Sequence, residues 1–176
     1  MFFRKATQQD LSAIVQIYDD THTELEAGRL TIGWIRSLYP NEKTARESLK
    51  LDELFVAEDD GVIVGTAVIN QRQVDVYKLA HWQYDAPPEQ VMVLHTLAIS
   101  PKAFGRGYGR RFVEFYEQYA LEQGCPYLRM DVNRINVKAL RLYRHLGYRE
   151  AGDAPCEFRG LPDIHLIMLE KKLETE

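Results

Sequence analysis

Cysteine is scarce in this sequence: only Cys125 and Cys156 occur, at no framework spacing. That excludes a disulfide-stapled scaffold and points to a reducing compartment. No apolar run approaches the ~18 residues of a membrane span, and the opening MFFRKATQQD lacks the apolar core of a signal peptide. A cytoplasmic protein is the expectation. His22, His81, His145 and His165 are scattered without metal-ligand spacing, so no metal is expected. Internal repeats, low-complexity tracts and linkers are absent. A net charge of -4 gives no general case for a nucleic-acid or membrane partner.

What is present suits one globular domain over residues 1–176, with 45% apolar and 27% charged residues. Charge is unevenly spread. Residues 101–150 carry ten Lys/Arg and five acids, so this stretch nets +5 and the remainder nets -9. A basic segment of that kind suits an anionic ligand.

Local signals outline the elements. Phe2 to Lys5 reads as a first strand, and Thr7 with Asp10 as a capping box before a helix with Leu11, Ile14, Val15 and Tyr18 on one face. A less regular helical region is predicted over Ile32 to Leu49, interrupted by Pro40. Leu54 to Glu58 and Val62 to Asn70 form a hairpin through Asp59-Asp60-Gly61. Gln71 to Glu89 reads as an extended loop or a frayed strand, and Val91 to Ile99 as the most apolar strand. A helix follows with Phe112, Val113, Phe115, Tyr116 and Tyr119 inward, ending at Gly124. Tyr127 to Val132 is a strand. Asn136 caps a helix with Leu140, Tyr143 and Leu146 inward, and Gly147 ends it. Tyr148 to Ala151 and Ile164 to Leu169 are final strands, with Gly160 and Pro162 turning between them.

The centre is Val91 to Arg111, an apolar strand, a short link and a turn with Gly105, Gly107 and Gly109. Glycines at a helix start let amides converge on one spot, where the helix dipole is positive. A P-loop would end Gly-Lys-Ser/Thr, whereas this turn ends Gly109-Arg110-Arg111. A dinucleotide fingerprint is nearer, with Gly105-x-Gly107 and Asp131 downstream. Against it, Arg110 occupies the third glycine's place, and Ser100 to Phe104 separate the strand from the first glycine.

Leu97-Ala98-Ile99-Ser100-Pro101, then Gly105-Arg106-Gly107-Tyr108-Gly109-Arg110, resembles the acetyl-CoA signature of the GNAT N-acetyltransferase superfamily, Gln/Arg-x-x-Gly-x-Gly/Ala. Asp131-Val132-Asn133, then Asn136-x-x-Ala139-x-x-Leu142-Tyr143-x-x-x-Gly147-Tyr148, resembles the family's next strand–helix unit. Phe104 departs from the pattern, standing where the family prefers Gln or Arg. The resemblance implies an α+β fold with a mixed, mostly antiparallel sheet of about six or seven strands and about four flanking helices. It implies transfer of an acetyl group from acetyl-CoA, as co-substrate, to an amine of a small molecule or a peptide N-terminus in a ternary complex. A homodimer is compatible with it. A CoA-binding sensor of the same fold, without efficient turnover, is the alternative.

On that resemblance, Leu97, Ala98 and Ile99 hydrogen-bond the pantetheine arm, and an amide near Leu97 polarises the thioester carbonyl. Amides of Gly105, Arg106, Gly107, Tyr108, Gly109 and Arg110 hold the pyrophosphate, and Asn136 lies near the CoA chain. Arg106, Arg110, Arg111, Lys138 and Arg141 are candidates for its phosphates. Tyr143 is the candidate general acid: from a phenol of pKa about 10 to a thiolate of about 8.5, donation is uphill by about 2 kcal/mol. His95, expected on the same strand face as Leu97, is the candidate base, and Asp131 at a strand end is the alternative. Acceptor selectivity is expected chiefly from the two N-terminal helices and the loop between the last strands, with Tyr18, His22, Glu26, Trp34 and Tyr39 as candidates and Trp82 and Tyr84 from the long loop.

Overall fold

The computed structural model describes residues 1–158 and 160–174. Seven strands form one sheet: β1 (Phe2–Lys5), β2 (Leu54–Asp59), β3 (Val62–Asn70), β4 (Val91–Ile99), β5 (Tyr127–Asn133), β6 (Arg149–Phe158) and β7 (Leu161–Lys172). Their spatial order is β1-β2-β3-β4-β5-β7-β6, antiparallel throughout except between β4 and β5. Helices α1 (Leu11–Glu26) and α2 (Glu42–Lys50) cover one face, and α3 (Tyr108–Glu122) and α4 (Val137–His145) pack against the other. This is the expected α+β architecture. Alternation along β4 divides the core: Val91 and Val93 are buried on one face, Met92 and Leu94 against Phe112 and Tyr116 of α3 on the other.

The parallel register of β4 and β5 runs from Val91↔Tyr127 to Leu94↔Met130 and stops. Beyond it both chains continue without each other. At the same point β4 carries a bulge: Val68 pairs with His95 and Thr66 with Ala98, so Thr96 and Leu97 together face Ala67. Thr96 takes the left-handed conformation, φ 51°, which costs a β-branched residue about 1 kcal/mol or more. The extra residue resets the alternation. Leu94 and Leu97, three apart, both pack on the α3 side, while His95 bonds Asn70 on the other. The expectation that His95 and Leu97 share a face is therefore corrected.

Three other expectations change. Residues 27–41 are a loop, not the first half of a helix. Gly33 sits there at φ 89°, Pro40 has no N–H to give a helix, and the Asn41 side chain accepts from Thr44 N–H (3.2 Å) to start α2 afresh. Residues 71–90 hold two short 3-10 turns, Asp75–Leu79 and Pro88–Gln90, and His81 N–H donates to Ala151 O (2.7 Å), covering the edge of β6. The last hairpin is longer than its local pattern indicated. Pro155 is tolerated because β6 is the edge strand, and Pro162 lies within β7 while Gly160 turns at φ 78°.

The entry to α1 is fixed as the capping box foresaw. Thr7 N–H donates to Asp10 Oδ2 (2.7 Å), and Arg4 grips both Asp10 oxygens (2.7 and 2.9 Å). The Arg4 guanidinium, with Thr7, holds the Asp10 carboxyl down at about 2. A lowered carboxyl stabilises the fold above its ordinary value and loses that contribution as pH falls from about 4 to about 2. Asp10→Asn should therefore cost about 1–2 kcal/mol at neutral pH and flatten the acid limb of stability against pH, measured by urea unfolding between pH 7 and pH 2. An unchanged acid limb would show that this pair contributes nothing.

Candidate active site

Two cavities meet where β4 and β5 part. The larger, about 660 Å³, runs along the Leu97–Ile99 end of β4, past Gly105 to Arg110, and under residues 135–138 at the entry to α4. The smaller, about 110 Å³, lies between β4, β5, the loop of residues 27–41 and the β6–β7 hairpin. Ile32, Trp34, Leu97, Asn136, Ala139 and Tyr143 line both, so this is where molecules held in the two would touch.

The larger cavity is mostly apolar, with backbone donors along one part of its wall. Ser100 N–H donates to Val64 O (2.8 Å). The antiparallel ladder alternates, so Ala98 also spends its backbone on β3 while Leu97 and Ile99 turn theirs to the opened side. The motif Leu97-Ala98-Ile99 thus supplies two free-edge residues, with Ala98 buried between them. Downstream, Gly105 and Gly107 have φ 80° and 76°, with nothing within 4 Å of where a Cβ would stand. Glycine is needed there for backbone conformation. Gly107 caps α3, whose first intrahelical bond is Arg111 N–H to Gly107 O (3.1 Å). The amides of Tyr108, Gly109 and Arg110 precede it and end the helix at its positive pole. The Tyr108 side chain is buried, its hydroxyl donating to Asp59 (2.5 Å), so it anchors the turn and offers only its amide.

Among the basic residues, Arg110 lines this cavity and donates to Glu114 (2.9 Å). Lys138 lines it too, with its ammonium 4.8 Å from the centre of the Phe104 ring. Arg106, Arg111 and Arg141 are exposed outside both linings. Arg29, paired with Glu24, reaches the cavity from the loop, a contribution with no local signature.

At the junction, Tyr143 is buried on α4, held in register by the Asn136 cap, which accepts from Ala139 N–H (3.2 Å). Burial first, and the nearby Asp131 charge second, push the Tyr143 hydroxyl well above the usual tyrosine value. Asp131 is half-buried and accepts from Tyr77 OH (2.7 Å). His95 is half-buried, with Nε2 on Asn70 Oδ1 (3.0 Å). All three line the smaller cavity.

The selectivity candidates divide. Trp34 and Tyr39 line the smaller cavity. Tyr18 and His22 are core, His22 bonding Pro40 O (2.8 Å), and Glu26 pairs with Arg36 at the surface. Trp82 lies under the Arg129 guanidinium (4.1 Å) and Tyr84 against Tyr127 (5.9 Å), so both pack the long loop down rather than face either cavity. Phe158 comes from the stretch between the last two expected strands, whereas Gly33 and Leu166 enter the lining with no local signature, and Asn133 enters it from the Asp131-Val132-Asn133 motif. Among the described residues no three His, Cys, Asp or Glu gather as a metal site would require, and no helix is long and apolar enough to cross a membrane.

Residues 12–148 match the family model described as the acetyltransferase (GNAT) family. An uncharacterized N-acetyltransferase of Archaeoglobus fulgidus is 27% identical over 159 residues, covering 89% of this chain and 100% of its own. A GNAT-family acetyltransferase structure from Streptococcus agalactiae superposes with a TM-score of 0.81 at 21% identity, covering 99% and 96% of the two chains. An acetyltransferase from Salmonella typhimurium, determined with its cofactor acetyl-CoA, superposes with a TM-score of 0.68 at 20% identity, covering 100% of this chain and 95% of that one.

The roof of the smaller cavity gives a test of its own. A Cβ on Gly33 would stand 2.3 Å from Asn133 Nδ2, on a backbone at φ 89°, whereas Gly28 has φ 72° and nothing within 4 Å. Gly28→Ala should cost about 1 kcal/mol and Gly33→Ala about 2–3 kcal/mol, read by urea unfolding. Asn133→Ala should recover the excess in the double variant. Equal costs at the two glycines would mean that the loop does not close on Asn133.

Proposed function

Because this chain belongs to the GNAT acetyltransferase family and is an acyltransferase, we propose that residues 1–176 act as one domain transferring acetyl from acetyl-CoA directly to an amine. The observation that carries this is the meeting of two cavities at the parting of β4 and β5, with Tyr143 in both linings. Two adjoining cavities hold both substrates at once, which favours a ternary complex over a covalent relay.

The larger cavity fits acetyl-CoA. The free edge of Leu97 and Ile99 suits an amide-bearing pantetheine arm. The amides from Gly105 to Arg110 suit a pyrophosphate, and Asn136 lies beside the path. Phe104 lacks the family's polar side chain, but Lys138, in the first turn of α4, sits over its ring. A cation there opposes the helix dipole, a cost that an anionic ligand offsets. Lys138 is thus the compensating phosphate contact.

Acetyl-CoA supplies an activated thioester carbonyl. The Leu97 amide would donate to its oxygen as charge develops there. Asp131, oriented by Tyr77, takes a proton from the arriving ammonium; His95, anchored on Asn70, is the other residue placed to do so. Tyr143 gives its proton to the departing sulfur. The nitrogen's second proton, lost as the amide forms, restores Tyr143, and Asp131 releases its own to solvent, so acetyl-CoA and RNH3+ give the N-acetylamine, the CoA thiol and one proton.

Acetyl-CoA should raise the melting temperature while NAD does not; the reverse would end this reading. Tyr143→Phe should lower kcat about 100-fold or more and keep the acetyl-CoA thermal shift, whereas parallel losses would reduce Tyr143 to packing. If acetyl-CoA binds but no amine is turned over, the sensor reading takes its place. Lys138→Gln should weaken CoA about fivefold with kcat unchanged, and lessen the salt dependence of binding measured calorimetrically. Unaltered affinity would remove Lys138 from the site.

A further inference from the structure

The smaller cavity is chemically two-sided. Its polar lining comes from one direction: His95 and Thr96 of β4, Asp131 and Asn133 of β5, and Asn136 at the start of α4. Among the described residues, the walls from the loop and the β6–β7 hairpin are mainly hydrocarbon and aromatic, chiefly Trp34, Tyr39, Phe158, Ile164 and Leu166. The single hydroxyl among these five, on Tyr39, is engaged by Thr96 Oγ1. The walls brace one another edge to face, Trp34 on Tyr39 (6.1 Å) and Tyr39 on Phe158 (5.7 Å). Such contacts hold ring positions, so the space has a fixed size.

That size is about 110 Å³. An engineered apolar cavity of roughly 150 Å³ in another protein holds one benzene. We propose that the acceptor is a small primary amine with an apolar body of about four to six carbons, its ammonium at Asp131 and its hydrocarbon against Phe158, Ile164 and Leu166. This rests on the acetyltransferase reading and narrows its substrate class. The negative carboxylate lies on the side where β4 and β5 part, beside the junction with the larger cavity. The orientation that buries the hydrocarbon therefore also brings nitrogen to the reacting carbonyl. A long polyamine or a peptide N-terminus would place polar groups against the hydrocarbon of Phe158, Ile164 and Leu166, whose side chains offer no hydrogen bond.

The experiment is a series of straight-chain primary amines from ethylamine to octylamine, at saturating acetyl-CoA, with free thiol as readout. The acetyl-CoA thermal shift is measured first. Each added methylene should raise kcat/KM about threefold to fourfold up to about four to six carbons, followed by a drop of tenfold or more. With CoA present, butylamine should raise the melting temperature and ethanolamine should not. Ile164→Val, which keeps the fold, and Leu166→Ala should both move the optimum to a longer chain. A flat series, a rise continuing to octylamine, or better turnover of spermidine or an alanyl peptide than of butylamine would overturn the proposal while the thermal shift leaves the acetyltransferase reading standing. Loss of the thermal shift itself would overturn both.

Discussion

The proposed site depends on β4 and β5 ceasing to pair after Leu94 and Met130. Parallel strands normally hide their edges from ligands. Here the bulge at Thr96 turns β4 aside, and the Leu97 and Ile99 backbones lose a neighbour strand. Their polar groups must be satisfied by something, and a ligand with its own amides can do it. The parting also leaves a crevice at the carboxyl ends of two parallel strands, each followed by a helix that starts beside it. Open sheets place ligands in such crevices. The strained Thr96 is held by Tyr39 of the loop, so one contact joins the opened strand to the cavity's aromatic wall.

What the sequence made legible was local. The Thr7–Asp10 capping box, the Asp59-Asp60-Gly61 turn, the Asn136 cap and the glycine turn all act over a few residues, and each is found where its chemistry indicated. Asp60 and Gly61, for example, have φ 48° and 77°, the positive pair that such a hairpin turn demands. The resemblance to acetyltransferases also rested on two local units, β4 into α3 and β5 into α4, which the family match now spans.

What stayed hidden was non-local. Gly33 matters because Asn133 approaches it from a hundred residues away. Trp82 is tied down by Arg129 on a strand not yet read when its loop is met. The face of Leu97 relative to His95 could not be inferred from alternation, because one residue of bulge between them inverts it. The length of the last hairpin was masked by Pro155, which is harmless only once β6 is known to be an edge. In each case the deciding contact, not the residue's own preference, sets the outcome.

The effect of the Asp131 charge on Tyr143 changes how the proposed chemistry is understood. Taken from free side chains, a phenol protonating a thiolate faces a gap of about 2 kcal/mol. Burial raises the Tyr143 hydroxyl further, which by itself would make it a poorer acid. The departing sulfur, however, is released into the same desolvated junction, and burial raises a thiol's pKa for the same reason. That part of the shift therefore largely cancels between donor and acceptor. The contribution from Asp131 does not cancel, because its charge can be switched off. Once Asp131 has taken the ammonium proton it is neutral, and the repulsion that held the Tyr143 proton in place is gone. On the proposed reading, removing the acceptor's proton strengthens the acid that the leaving group needs, so an ammonium at Asp131 readies the site at both ends.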